Sequence, residues 1–146
     1  MRSRSGDRVC DHAPMTVDLI RVEELTDTAP YAYAAVADDV RRLVFTAGAC
    51  PLDANGDTVA VGDVAGQAEQ VMVNLRVALA SAGVGLADVV KSTVYVATRD
   101  RDDLVTAWDV VRRHFGDHDA PSTLLGVTVL GYRDQLVEVE AVAAVR

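Results

Sequence analysis

The sequence is short of positive charge, aromatic side chains and long hydrophobic runs. Lys91 is the single lysine, 14 Lys and Arg residues face 22 Asp and Glu residues, and the formal net charge is −8. Non-specific nucleic-acid binding draws on clustered Lys and Arg, so this composition argues against a general phosphate-binding surface and a nucleic-acid partner. Aromatic residues make up 5% of the chain and hydrophobic residues 50%, so Val, Ala and Leu must build the core.

The sequence also lacks the features of a membrane protein or a disulfide-bonded protein. No stretch approaches the roughly 18 consecutive apolar residues of a membrane-spanning helix, and the N-terminus has no apolar signal-peptide segment. Cys10 and Cys50 lie far apart, and neither belongs to a CxxC motif. We therefore expect reduced thiols, a cytoplasmic location and no membrane partner.

Metal and phosphate chemistry is not indicated either. His114 and His118 are four residues apart, but they flank Gly116 where a helix is predicted to end, and no third ligand is in register. A favourable cation near a helix C-terminus is the better explanation of His114. Gly-rich phosphate loops and the G-x-S-x-G and H-E-x-x-H motifs are absent from the sequence. We expect no bound metal.

The chain length of 146 residues fits one domain. Residues 1–14 are polar and show no periodicity, so we interpret them as a disordered N-terminal extension. Alternatively, they precede the true start of the protein at Met15. Residues 15–146 form the single predicted domain.

The pattern of the remaining residues predicts strands, a helix, a strand, a helix and strands. "TVDLIRVEEL" predicts an edge strand, and "YAYAAVADD" with "RRLVFTAGA" predicts a hairpin that turns at Asp38 and Asp39. Residues 63–83 have apolar side chains at helical spacing, between a candidate N-cap, Asp63, and a terminating Gly83. "LADVVKSTVYVAT" predicts a strand, "RDDLVTAWDVVRRHFG" a second amphipathic helix, and "STLLGVTV" and "QLVEVEAVAAV" the last two strands.

This order predicts an α+β fold in which two helices cover one face of a mixed sheet. The strands are apolar on both sides, so the other face of the sheet also needs cover. Oligomerisation is the economical explanation.

Three features of the sequence are candidates for a site. Glu138 and Glu140 are two apart in a Val-rich strand, so they share a face that is either solvated or a pocket where desolvation helps a carboxylate to move a proton. Tyr31 follows Pro30, and it is either ordinary packing or an aromatic lid. Gly48, in "FTAGACPLD", permits close approach to the backbone and leaves its N–H available to an oxygen.

Five segments, taken in order, resemble the RidA/YjgF family, also labelled L-PSP endoribonuclease. They are "APYAYA", "LVFTAGACPLD", "DVAGQAEQVMVNLRVALASAG", "DVVKSTVYV" and "APSTLLGV…LVEVEAVA", and the resemblance covers roughly residues 17–146. It implies a chorismate-mutase-like α+β fold and a homotrimer whose sheets form a central barrel with ligand pockets between subunits. It also implies hydrolysis of reactive enamines and imines to ketoacids and ammonia, without a metal or a bound cofactor.

The resemblance also implies roles for single residues. The family's glutamate that orders the attacking water matches Glu138, and Tyr31 and the backbone around Gly48 line the same pocket. The family's arginine, which clamps the substrate carboxylate, falls at Ser122 when the segments are matched through the following Gly and Val. A hydroxyl cannot replace the permanent charge and planar fork of a guanidinium.

Four further residues concern the predicted pocket and its missing arginine. Thr123 and Leu124 complete the predicted substrate-binding set, and Ala47 replaces a serine that relatives often have. Arg133, in the "GYRD" turn, is the nearest cation in sequence and the one candidate to replace the arginine, although a surface hairpin is its expected position.

The sequence thus predicts a member of a subgroup without the arginine, whose pocket binds a small uncharged or differently charged carbonyl or imine compound. One hypothesis is an imine or enamine deaminase of altered specificity. The other is a non-catalytic small-molecule sensor or interaction module on the same trimer. A ribonuclease ranks lowest because the net charge is −8.

Overall fold

A computed structural model describes residues 17–146. The predicted N-terminal extension, residues 1–14, and the alternative start at Met15 lie outside these residues. Neither helix of the described chain has the length and hydropathy that crossing a lipid bilayer requires.

The described residues form an α+β fold, as predicted. The elements in chain order are β1 (Asp18–Ile20), β2 (Ala34–Val36), β3 (Arg42–Phe45), α1 (Val64–Ser81), β4 (Val89–Ala97), α2 (Arg101–Phe115), β5 (Ser122–Val127) and β6 (Val137–Val145). Four strands form a mixed sheet in the order β3-β6-β4-β5, in which only β4 and β5 are parallel, and β1 and β2 form a separate antiparallel pair. Helices α1 and α2 pack against each other on one face of the larger sheet.

The predicted hairpin between β2 and β3 is wrong. Strand β2 pairs with β1, with Ala35 opposite Leu19, and β3 pairs with the C-terminal strand β6, with Val44 opposite Ala143. The distant pairing prevails because it places Val44 against the main core, whereas the three-residue β2 offers β3 no such surface.

Local signals set the ends of both helices, and those of α1 are the two residues that the sequence predicts. The Asp63 carboxylate accepts a hydrogen bond from the Gly66 N–H at 3.0 Å and caps α1, and Gly83 follows its end with a φ of 77°. Asp100 caps α2, and Gly116, with a φ of 62°, follows its last residue. The two helices are also joined by ion pairs, because Glu69 on α1 contacts residues on α2.

The core lies between the helices and the sheet. Its fully buried side chains include residues of α1 (Ala68, Val71, Met72, Leu75, Leu79), α2 (Ala107, Val111) and the two central strands (Val89, Val94, Val96, Val137, Val139, Ala143). The opposite face of the sheet is open, and two of its apolar side chains, Leu43 and Phe45, are 51% and 71% exposed. This open face is consistent with the predicted oligomer, which stays a prediction.

Candidate functional site

Two acidic side chains lie on the open face of the sheet. Glu138 and Glu140 alternate along β6 with the buried Val137 and Val139, and both carboxylates are partly buried. The strand period of two therefore puts them on one face, as the sequence predicts.

Glu140 is held by the neighbouring strand. Its Oε1 accepts a hydrogen bond from the Tyr95 hydroxyl of β4 at 2.8 Å. This bond to Glu140 raises the pKa of Tyr95 above its ordinary value, and burial of the phenol adds to the rise. The Tyr95 phenol therefore stays neutral and donates this hydrogen bond, which occupies Oε1 of Glu140.

Glu138 has different partners. Its Oε2 accepts a hydrogen bond from the side-chain amide of Gln135 at 3.0 Å. Its other oxygen lies against Gly48, where an added Cβ would stand 1.8 Å from Oε1. Gly48 is thus the residue type that lets this carboxylate occupy its position, and the structure brings these two predicted site residues into contact.

The segment that carries Gly48 is tied to β6 beyond the end of β3. Ala49 and Val139 exchange backbone hydrogen bonds of 2.8 and 3.2 Å. The Asn74 side chain of α1 donates to the carbonyls of Cys50 and Leu52 at 2.8 and 2.9 Å, which fixes the following loop on the helix. The backbone beside Glu138 is therefore held from both sides.

Cys50 is a neighbour of this carboxylate that the sequence did not identify. Burial, and then the negative charge of Glu138, raise the pKa of the Cys50 thiol, while the amide of Gln135 acts in the opposite direction. The "GAC" segment does indicate that Cys50 lies near the site, because residues 48 and 50 share a face of an extended chain.

A cavity of about 600 Å³ opens beside Gly48. It lies between α1 and the loop after β3, and its lining includes Ala47, Cys50, Asn74 and Tyr132. Ala47, the predicted departure from the family pattern, thus forms part of this wall.

A second group of predicted site residues gathers at the edge strand β5. Tyr31, Ser122, Thr123 and Leu124 line a cavity of about 520 Å³ together with Pro30 and Trp108. The Tyr31 ring stands edge-on to Trp108, with the ring centroids 6.2 Å apart and the planes at 83°. None of these six lining side chains carries a charge.

The hydroxyls of Ser122 and Thr123 point to opposite faces of the sheet. Ser122 Oγ lies 2.5 Å from Ser92 Oγ and 3.1 Å from the carbonyl of Ala120. Thr123 Oγ1 accepts a hydrogen bond of 2.7 Å from Lys91, the single lysine, on the open face. Both hydroxyls are therefore already hydrogen-bonded within the chain.

The two groups do not meet within one chain. Glu138 lies on β6 and Thr123 on β5, with β4 between them. Two strand spacings separate their backbones by about 10 Å. The structure thus assembles the predicted site residues as two walls, a carboxylate wall around Glu138 and an aromatic wall around Tyr31.

The remaining candidates have other surroundings. Arg133 is exposed in the turn before β6, where its carbonyl accepts a hydrogen bond from Thr58, and it lines neither cavity. His114 lies 2.6 Å from Glu69, and His118 lies 2.7 Å from the carbonyl of Val89. Within residues 17–146, no His, Cys, Asp and Glu side chains form a group that would suit a metal ion.

A family model and the sequences of individual relatives both match most of this chain. The model of the family described as Endoribonuclease L-PSP matches residues 22–145. A RutC family protein of Pyrococcus horikoshii is 33% identical over 114 residues, which is 78% of this chain and 86% of that protein. The 3-aminoacrylate deaminase RutC of Acinetobacter baylyi is 33% identical over 117 residues, or 80% and 88% of the two chains.

A solved structure supports the same assignment of the fold. The Rid family protein YyfB of Yersinia pestis, itself of unknown function, superposes with a TM-score of 0.83 at 28% identity. The match covers 90% of this chain and 100% of that one.

Proposed function

Because the chain belongs to the Endoribonuclease L-PSP family, to which the RidA/YjgF name also applies, we propose that it hydrolyses a small imine or enamine in a pocket between subunits. Glu138 takes up a proton from water while the water oxygen adds to the imine carbon. The π electron pair of the C=N bond and this proton go to nitrogen, which gives a carbinolamine. The proton of its hydroxyl group then passes to nitrogen, the carbon–nitrogen bond breaks, and a carbonyl compound and ammonia leave. The proposed setting is the cytoplasm, with which the free thiol of Cys50 agrees.

The observation that carries this proposal is the position of the Glu138 carboxylate. It is partly buried, Gln135 holds one oxygen, and the other oxygen lies against Gly48, a residue that lines a cavity. A carboxylate oriented in this way can order a water molecule and accept its proton. The 3-aminoacrylate deaminase relative acts on an enamine, which is chemistry of the same class.

The substrate that we propose carries no carboxylate at the aromatic wall. Pro30, Tyr31, Trp108 and Leu124 present rings and apolar groups there, and the chain has Ser122 in place of the family's arginine. Lys91 contacts Thr123 on the open face of the sheet, so a carboxylate bound on the Ser122 side of this wall would lack a cationic partner and would be poorly stabilised. An imine with an apolar or aromatic substituent fits it better.

We further propose that the complete site forms in a homotrimer. In one chain the two walls are separated, and the open sheet face leaves Phe45 71% exposed. Packing this face against other copies would bury that apolar surface, and a neighbouring copy would supply the aromatic wall opposite Glu138.

Ammonia release tests the proposal directly. We would assay 2-aminoacrylate and an uncharged alkyl or aryl imine with the wild type, Glu138→Ala and the matched control Glu140→Gln. We expect turnover of the uncharged imine to exceed that of 2-aminoacrylate, and Glu138→Ala to lower it by about 100-fold. Glu140→Gln should stay near the wild-type rate. Equal rates for wild type and Glu138→Ala on both substrates would remove the acid–base role.

The uncharged aromatic wall also favours a second candidate, a small-molecule sensor that binds without turnover. Thermal-shift screening with metabolites, followed by product analysis, separates the two functions. A sensor would be stabilised by compounds that it leaves unchanged, whereas the deaminase would convert them.

An endoribonuclease, which the family description names, ranks lowest. The net charge of −8 does not favour binding to a phosphate backbone. RNA binding that weakens with added salt would restore this candidate.

A further inference from the structure

Gln135 is a buried polar residue three positions before Glu138. It is 4% exposed, and its side-chain oxygen accepts a hydrogen bond from the Tyr132 N–H at 3.0 Å. Its amide nitrogen donates to the carbonyl of Val137 at 3.2 Å and to Glu138 Oε2 at 3.0 Å. A backbone N–H can only donate, so the amide oxygen must face Tyr132 and the NH2 group must face Glu138.

The backbone that carries Gln135 is itself anchored. Gln67 of α1, which is 0% exposed, donates to the carbonyl of Asp134 at 2.8 Å and accepts from the Leu136 N–H at 2.7 Å. These bonds hold the residues immediately before and after Gln135. The side chain of Gln135 therefore has little freedom to leave the Glu138 carboxylate.

We propose that Gln135 is a positioning residue that holds Glu138 Oε2, so that Oε1 stays over Gly48 and available to the substrate water. This inference rests on the proposed acid–base role of Glu138. A neutral amide suits the task, because a cation at this position would form an ion pair and make the carboxylate a weaker base. An apolar side chain would leave the carboxylate free to rotate.

A pair of buried glutamines provides the kinetic test. Gln135→Met removes the bond to Glu138, whereas Gln67→Met removes a buried amide that contacts only the backbone. We expect Gln135→Met to lower kcat by about 10- to 100-fold with KM changed by less than about twofold, because the base is misplaced while the pocket walls remain. Gln67→Met should lower Tm with a much smaller effect on kcat. An unchanged kcat in Gln135→Met, or an equal loss in both variants, would overturn the positioning role.

Gln135→Glu keeps the proposal testable if Gln135→Met does not fold. It preserves the shape of the side chain but sets a second carboxylate beside Glu138. We expect kcat to be low at neutral pH and to recover partly as acid protonates the introduced carboxyl, which then donates as the amide did. A pH profile parallel to that of the wild type would count against the proposal.

The thiol of Cys50 provides a test that does not require turnover. In a Cys10→Ser background, alkylation by iodoacetamide as a function of pH reports the ionisation of Cys50 in Gln135→Met, Glu138→Gln and the double variant. Glu138→Gln should lower the pKa of Cys50 and Gln135→Met should raise it. The direct effect of the Gln135 amide on the thiol adds in the double variant, whereas any effect that Gln135 has by holding Glu138 is lost there, so the two shifts will not sum if Gln135 positions Glu138.

The two readouts separate failure of the positioning role from failure of the proposed function. Additive shifts of the Cys50 titration would overturn the positioning role even in an active enzyme. Non-additive shifts in a protein that converts no imine would support the positioning role and reject the deaminase.

Discussion

The carboxylate of Glu138 occupies the space that any side chain at Gly48 would need. An added Cβ would lie 1.8 Å from Oε1 and 2.5 Å from the carboxyl carbon, which is far inside van der Waals contact. Two residues 90 positions apart in sequence therefore constrain each other, since the glycine is required by the position of the glutamate.

Gly48→Ala should displace Glu138 and lower kcat for the imine by about 100-fold, because small misplacements of a catalytic group are costly. Gly85→Ala is the matched control, since nothing lies within 4 Å of a Cβ at that position. Ammonia release and Tm would be measured for both variants. Wild-type turnover in Gly48→Ala would show that Glu138 does not act from this position.

The hydroxyl of Ser122 should matter for stability more than for binding. It is bonded to Ser92, which is 1% exposed, so Ser122→Ala leaves a buried hydroxyl with one partner fewer. We expect the free energy of unfolding in urea to fall by about 1 to 3 kcal/mol with little change in KM. Thr123→Val, which loses only the exposed bond to Lys91, should cost less than about 0.5 kcal/mol. A large rise in KM for Ser122→Ala would instead assign its hydroxyl to the substrate.

Tyr31 should matter for substrate binding, unlike Ser122, because its ring forms part of the aromatic wall. Its ring packs edge-on to Trp108 and Tyr33, so the ring supplies contact area. We expect Tyr31→Ala to raise KM for an aryl imine by about tenfold or more, and Tyr31→Phe to leave KM near the wild-type value. Steady-state kinetics with matched aryl and methyl imines would check this, and equal effects on both substrates would contradict an aromatic contact.

Local patterns predicted the helices, because Asp63 and Gly83 act on the backbone next to them. The hairpin failed because strand pairing is decided at long range, and β3 gains more burial beside β6 than beside β2. The opposed faces of Ser122 and Thr123 follow from strand period alone, but the bond to Ser92 requires the parallel register of β4 and β5.

Gln135 could not be identified from the sequence. A glutamine in a turn beside Gly, Arg and Asp is typical of a solvated surface, yet here it is buried. Its burial depends on Gln67, which is 68 residues earlier on α1 and bonds to the flanking backbone. Contacts of this kind arise only when two distant elements pack.

The contact between the two helices predicts a pH dependence of stability. The hydrogen bond from His114, together with the charges of His114 and Arg113, lowers the pKa of Glu69 from its usual value. A lowered carboxyl pKa contributes stability above the unfolded-state value, about 4.3, and the contribution disappears as pH falls through the folded-state value. The difference in free energy of unfolding between wild type and Glu69→Gln should therefore be small, present at neutral pH and absent in strong acid. A constant difference across this range would contradict the ion pair.

The open face of the sheet predicts an assembly on which the site depends. Phe45 is 71% exposed in the single chain and lies on the face opposite the helices, whereas the exposed Val105 lies on α2. We expect the wild type to sediment as a trimer, Phe45→Lys to shift toward monomer because it puts a charge into the buried interface, and Val105→Lys to remain trimeric. Because the carboxylate and aromatic walls are about two strand spacings apart within one chain, loss of the trimer should also abolish imine turnover. A fully active monomeric Phe45→Lys variant would show that one chain is sufficient and that the two walls work separately.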